Sequence, residues 1–152
     1  MTGLRPVDAA TARAYRRSLY RAGGIAIRVG QRPMADDPGA PAWWRHGDVV
    51  FVSAANPGGR RRPEGWNRRR MRVLAGHVAG CELHEGEGRL GQWSEPLLAV
   101  RLPLARGRVI ARRFGQNAVV LVRGGGPARL VFLASPAQRC GWAGDIFSLR
   151  SG

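Results

Sequence analysis

The sequence predicts an α+β fold, a mixed β-sheet of about six strands with two or three helices packed against it, in the order α-β-β-α-β-β-α-β-β. Three observations point there. Val49-Val50-Phe51-Val52 and Ala118 to Val122 are continuous apolar, largely β-branched runs, the composition of strands buried on both faces. Met71, Leu74, Ala75 and Val78 recur at helical spacing and form a core-facing stripe. Glycine pairs and triplets (Gly23-Gly24, Gly58-Gly59, Gly124-Gly125-Gly126) cut the chain into short segments.

Taken in order, Asp8 is placed to cap a helix running to about Leu19, with Ala12, Tyr15 and Leu19 on one face. Gly23-Gly24 ends it, and Ile25, Ile27 and Val29 alternate as a half-buried strand. Residues 30–47 hold Pro33, Pro38 and Pro41 and read as a loop, with Trp43 and Trp44 folding back onto the body. The strand at Val49 stops at the turn Asn56-Pro57-Gly58-Gly59, and a helix follows from Glu64 to Ala79, ended by Gly80. Cys81 to His84 reads as a short strand and Glu85 to Gly91 as a glycine-rich polar loop. Leu98, Val100 and Leu102 alternate as a strand. Pro103 then opens a short helix carrying Val109, Ile110 and Phe114, stopped by Gly115. The strand at Ala118 turns through Gly124-Gly125-Gly126 into Leu130 to Leu133. On this reading the strands at Val49 and Cys81 are parallel, the strand at Leu98 returns antiparallel to Cys81, and the strand at Val119 runs parallel to that at Leu98.

The chain of 152 residues suits one domain. No apolar run is long enough to span a bilayer, the start lacks a secretory h-region, and two cysteines make no disulfide framework, so a cytoplasmic location is expected and no membrane partner. All 25 basic residues are arginine, against 10 acidic, giving a net charge of +15. Glycine, alanine, arginine and proline have GC-rich codons, so solvated filler competes with a polyanion partner as the explanation. Arg60-Arg61-Arg62 with Arg68-Arg69-Arg70 and Arg72 is the densest cluster.

Against that background the rare residues are informative. The three asparagines are Asn56, Asn67 and Asn117. Asn67 lies on the apolar stripe of its helix, where a polar side chain needs partners, and the Asn56 turn is the nearest: either a clamp on the turn or a ligand contact. The glycine turn ahead of a helix marks Gly58, Gly59, Arg60 and Arg61 as a candidate anion site, though it has no Walker lysine and no dinucleotide spacing. Trp93-Ser94-Glu95-Pro96 sets a carboxylate beside a tryptophan, and burial would fit Glu95 for general acid–base work. Cys81 and His84 face opposite sides of a strand, and no further ligands accompany them, so neither metal nor cofactor is expected.

Ser53-Ala54-Ala55-Asn56-Pro57 with Asn67, then Trp93-Ser94-Glu95-Pro96, then Phe114-Gly115-Gln116-Asn117-Ala118, occur in that order. Together they resemble the bacterial Domain of Unknown Function 3293 family over residues 15–133. The resemblance implies a small cytoplasmic bacterial protein and no particular activity. It sets off residues 1–133 as a single α+β domain and leaves residues 134–152 as a C-terminal tail outside it. The functional expectation is a non-enzymatic module holding a small polar or anionic ligand, or a protein partner. Its pocket lies at one edge of the sheet and is lined by Asn56, Asn67, Trp93, Glu95, Gln116 and Asn117. The alternatives are an enzyme acting on nucleotides or nucleic acid through Glu95, and a nucleic-acid accessory protein using the arginines from Arg60 to Arg72.

Overall fold

A computed structural model describes residues 8–133; the expected tail lies outside them. Within these residues the fold is α+β, with three α-helices and one eight-stranded sheet. Helix α1 (Ala9–Arg17) opens at Asp8, whose carboxylate accepts from the Thr11 amide at 2.7 Å. Strands β1 (Leu19–Ala22), β2 (Ile25–Ile27) and β3 (Met34–Ala35) meander at one edge. β4 (Asp48–Val52) leads through the Asn56 turn to α2 (Glu64–His77). The hairpin β5 (Leu83–Leu90) and β6 (Trp93–Arg101) follows, then α3 (Leu104–Arg113), β7 (Ala118–Arg123) and β8 (Arg129–Phe132).

The order across the sheet is β3-β2-β1-β5-β6-β4-β7-β8, and every neighbouring pair of strands is antiparallel. The expected parallel directions hold, but not between neighbours. β4 and β5 point the same way with β6 between them, and β6 and β7 point the same way with β4 between them. Each helical crossover therefore skips one strand position. The sheet also has more strands than the sequence pattern suggested. β1 starts at Leu19, expected as the end of the first helix, and fills the stretch up to the glycine break at Gly23. The stretch Glu85 to Gly91, expected as a loop, is mostly β5: Gly86 and Gly88 lie in register with Ala22 and Tyr20.

At its far ends the sheet curls toward closure. Val29 bridges Ala128, the Gly30 amide donates to the Ala128 carbonyl at 2.7 Å, and the Ala128 amide donates to Gln31 at 2.8 Å. Strand alternation then divides the core in two. On one face Val50, Val52, Leu98, Val100 and Leu121 pack under Leu74 and Val78 at the end of α2 and Ile110 of α3. On the other, Tyr20, Ile25, Ile27, Val49, Phe51, Leu97, Ala99 and Val120 fill the inside of the curl. Trp44 is buried there too, and the Trp43 indole donates to the Gly23 carbonyl at 2.9 Å, so both tryptophans fold back as expected. Asp48 joins the layers by accepting from the Leu104 amide at the start of α3 (3.1 Å) and from Arg123 of β7 (2.7 and 3.0 Å). Among the described residues no helix is long and apolar enough to cross a membrane.

Candidate functional site

The end of β4, the start of β6 and the start of β7 meet at one end of the sheet, because Val52 pairs with Leu98 and Phe51 with Val120. That register brings Asn56, Glu95, Gln116 and Asn117 together, and α2 adds Asn67 in its first turns. Asn56 has φ 46°, a left-handed conformation that asparagine tolerates better than most side chains. Two reciprocal bonds hold it. Its amide donates to Asn67 Oδ1 at 3.0 Å, and Asn67 Nδ2 donates back to Asn56 Oδ1 at 2.9 Å. The Arg62 amide also donates to Asn56 Oδ1 (2.9 Å). Gln116 Nε2 donates to the carbonyls of Ala55 (3.0 Å) and Phe114 (3.2 Å). Among the described residues no buried side-chain polar atom lacks a partner. Asn56, Asn67 and Gln116 thus form a rigid frame around the turn.

The same frame engages the glycine turn. The Gly58 amide donates to the Gly115 carbonyl (2.7 Å) and the Gly59 amide to the Asn56 carbonyl (2.9 Å). Their backbone donors are therefore spent inside the fold, and the Arg60 amide likewise donates to Pro57 (3.2 Å).

Beside the frame a cavity of about 360 Å³ opens at the mouth of the curl, under α1. Phe51, Leu97, Val120 and Leu130 supply much of its apolar wall, and Tyr15 and Tyr20 flank it. Among the described residues Glu95 is the one charged residue in the lining. It shares its face of β6 with Leu97 and Ala99, so strand alternation aims its carboxyl at the apolar side of the sheet. Burial pushes that carboxyl up to about 7, while the neighbouring Ser53 and Asn56 side chains pull the other way. The Tyr15 phenol is likewise pushed up, by burial first, with Asn117 opposing and the Glu95 charge adding to the shift. Ser53 is fixed in turn: its hydroxyl donates to the Pro96 carbonyl at 2.7 Å and accepts from the Ala55 amide at 3.0 Å. The cavity thus sets one proton-exchanging carboxyl among largely apolar walls.

A second depression, about 730 Å³, lies between the residues leading into α2 and the β5–β6 hairpin. Arg61, Arg62, Arg68 and Gln92 line it, and it shares Trp93 and Pro96 with the cavity. The Arg61 guanidinium sits 5.9 Å from the Trp93 ring centre, while Arg62 and Arg70 sit over Trp66 at 5.2 and 5.9 Å.

The sequence-derived candidates therefore fall into three places. Trp93, Glu95 and Gln116 line the cavity. Asn56, Asn67, Arg61 and Trp93 line the groove. Asn117 is buried behind Tyr15, and of the glycines only Gly59 reaches the cavity wall. Tyr15, Tyr20 and Phe51 were not singled out as site residues. The alternation of Tyr20 with Ala22 was the signal for one of them, hidden by the shortness of β1.

Residues 52–119 match a family described as "Protein of unknown function (DUF3293)". The chain resembles that family from the end of β4 to the start of β7, a segment containing all the motifs named above, whereas Tyr15 to Gly30 and residues after 119 lie outside the match. Among curated proteins and solved structures, none matches the chain.

Proposed function

We propose that this protein binds a small ligand in the cavity at the mouth of the curled sheet, with Glu95 holding the ligand's polar group. One observation carries the reading: among the described residues a single carboxyl stands in an otherwise uncharged, largely apolar cavity of about 360 Å³. Cavities of that size with a few placed polar groups are the usual form of small-molecule sites. Leaving a carboxyl there costs free energy unless something satisfies it, and a ligand that supplies a hydrogen-bond donor removes the cost. The asparagine frame keeps the wall in place rather than touching the ligand.

A second reading uses the same cavity. A carboxyl titrating at about 7 is poised to give or take a proton at neutral pH, which favours an enzyme with Glu95 as general acid or base.

The test is a thermal-shift screen of nucleotides, amino acids and phosphorylated metabolites against the wild type and Glu95→Gln. A ligand that stabilises the wild type, loses most of its effect on the variant and is recovered chemically unchanged supports the binding module. Recovery of a converted product promotes the enzyme. Ligands that stabilise both proteins equally would remove Glu95 from the site.

A further inference from the structure

The groove beside the cavity has a charge that the fold itself does not use. Of the arginines lining it, Arg68 pairs with Glu64 at 3.3 Å. The other carboxylate in the lining, Glu87, is turned to Arg89 (3.5 Å) and accepts from the Ser94 hydroxyl (2.8 Å). Among the described residues Arg61 and Arg62 have no carboxylate partner, and both stack on indoles instead. Trp93, 43% exposed, forms the wall between groove and cavity.

We propose that cavity and groove are two halves of one site for a nucleoside phosphate, the base entering the cavity against Glu95 and the phosphate lying on Arg61 and Arg62. This rests on the cavity reading above. Each half selects a feature. Guanidinium forks match phosphate oxygens in geometry and charge. A flat base slides past an indole at low cost and stacks on it, and every base has a face to offer. The base edge carries N–H donors beside ring acceptors, which satisfy a carboxyl in either protonation state, whereas an alkyl chain offers Glu95 no polar partner. The phosphate arrives on a free mononucleotide or at the end of a single strand; the chemistry recognised is the same.

The experiment titrates the full chain, at low and at physiological salt, with the common ribonucleosides, their monophosphates, inorganic phosphate, O-phosphoethanolamine and a 5′-phosphorylated short oligonucleotide of mixed sequence. At least one monophosphate should bind about tenfold or more tightly than both its nucleoside and inorganic phosphate, a difference of ~1.4 kcal/mol. The double variant Arg61→Ser, Arg62→Ser should abolish that advantage and leave nucleoside affinity unchanged. Glu95→Gln should change which base is preferred while the phosphate advantage stays. Mononucleotide as tight as oligonucleotide identifies the free metabolite; a large gain for the oligonucleotide identifies a strand end. Equal binding of nucleoside and monophosphate overturns the groove but leaves the cavity reading standing. Inorganic phosphate as tight as any nucleotide reduces the groove to a general anion surface. Preference for O-phosphoethanolamine, or no binding of any nucleoside or nucleotide, overturns the nucleotide class. Binding that ignores Glu95→Gln in every respect overturns the cavity reading itself.

Discussion

Glu95 carries its carboxyl on the face of β6 that also buries Leu97 and Ala99, and that placement has a thermodynamic consequence. Its folded-state value of about 7 lies above the ordinary 4.5, so between the two the folded protein holds a proton that the unfolded chain has released. Stability contributed by this group is present below its unfolded value, falls as pH rises through that window, and is flat above it. Glu95→Gln should remove the slope, stabilising the protein by about 1–3 kcal/mol above neutrality and by little in mild acid. Urea denaturation across pH checks this, and an unchanged slope would mean a solvated carboxyl. Asn67 behaves in the opposite sense. Asn67→Ala deletes both bonds to Asn56 and strands a buried amide, for an expected loss of about 2–3 kcal/mol. The asparagine pair was legible in the sequence because a polar residue interrupted an apolar stripe. Tyr15 was not, since nothing in a single aromatic residue tells which cavity it will flank.

At the scale of elements, α2, α3, β4 and β7 were readable from periodicity and apolar runs, whereas β5 was concealed by its own chemistry. Gly86 and Gly88 alternate with Glu85 and Glu87, a composition that resembles a loop. A Cβ on Gly86 would collide with the Arg21 carbonyl and Ala22, and one on Gly88 would press on the Tyr20 ring at 3.1 Å. The glycines are where β1 closes onto β5. Gly86→Ala should therefore cost at least ~3 kcal/mol or prevent folding. Gly76→Ala in α2, where the new methyl meets nothing within 4 Å, should gain about 0.5–1 kcal/mol. Urea midpoints of the two variants compare them directly, and a Gly86→Ala protein as stable as wild type would refute the close β1–β5 approach. Pairing order was illegible for a different reason. Strand directions follow from connection lengths, but which strand inserts between two others depends on how helices share one face of the sheet.

For the whole molecule, the net charge of +15 governs long-range behaviour. Besides the groove, Arg16, Arg17, Arg28 and Arg89 gather near the start of β1, so positive charge is spread over more than one face. Duplex DNA should then bind weakly, without sequence preference, and lose affinity steeply as salt rises. Filter binding or fluorescence anisotropy measures this, and tight, sequence-selective duplex binding at physiological salt would make nucleic acid the primary partner. The expected domain limit is also testable. Leu133 is buried and its amide donates to the Asn117 carbonyl at 2.9 Å. A chain ending there should keep a cooperative unfolding transition, and losing it would mean that the folded unit needs residues 134–152.

The most direct measurement follows the Glu95 side-chain carboxyl by carbon-detected NMR through a pH titration, free and then with whichever probe stabilises the protein. The account expects a midpoint near 7 in the free protein and a clear displacement of that midpoint when the cavity is filled. A midpoint near the ordinary 4.5, unmoved by the bound probe, would contradict it.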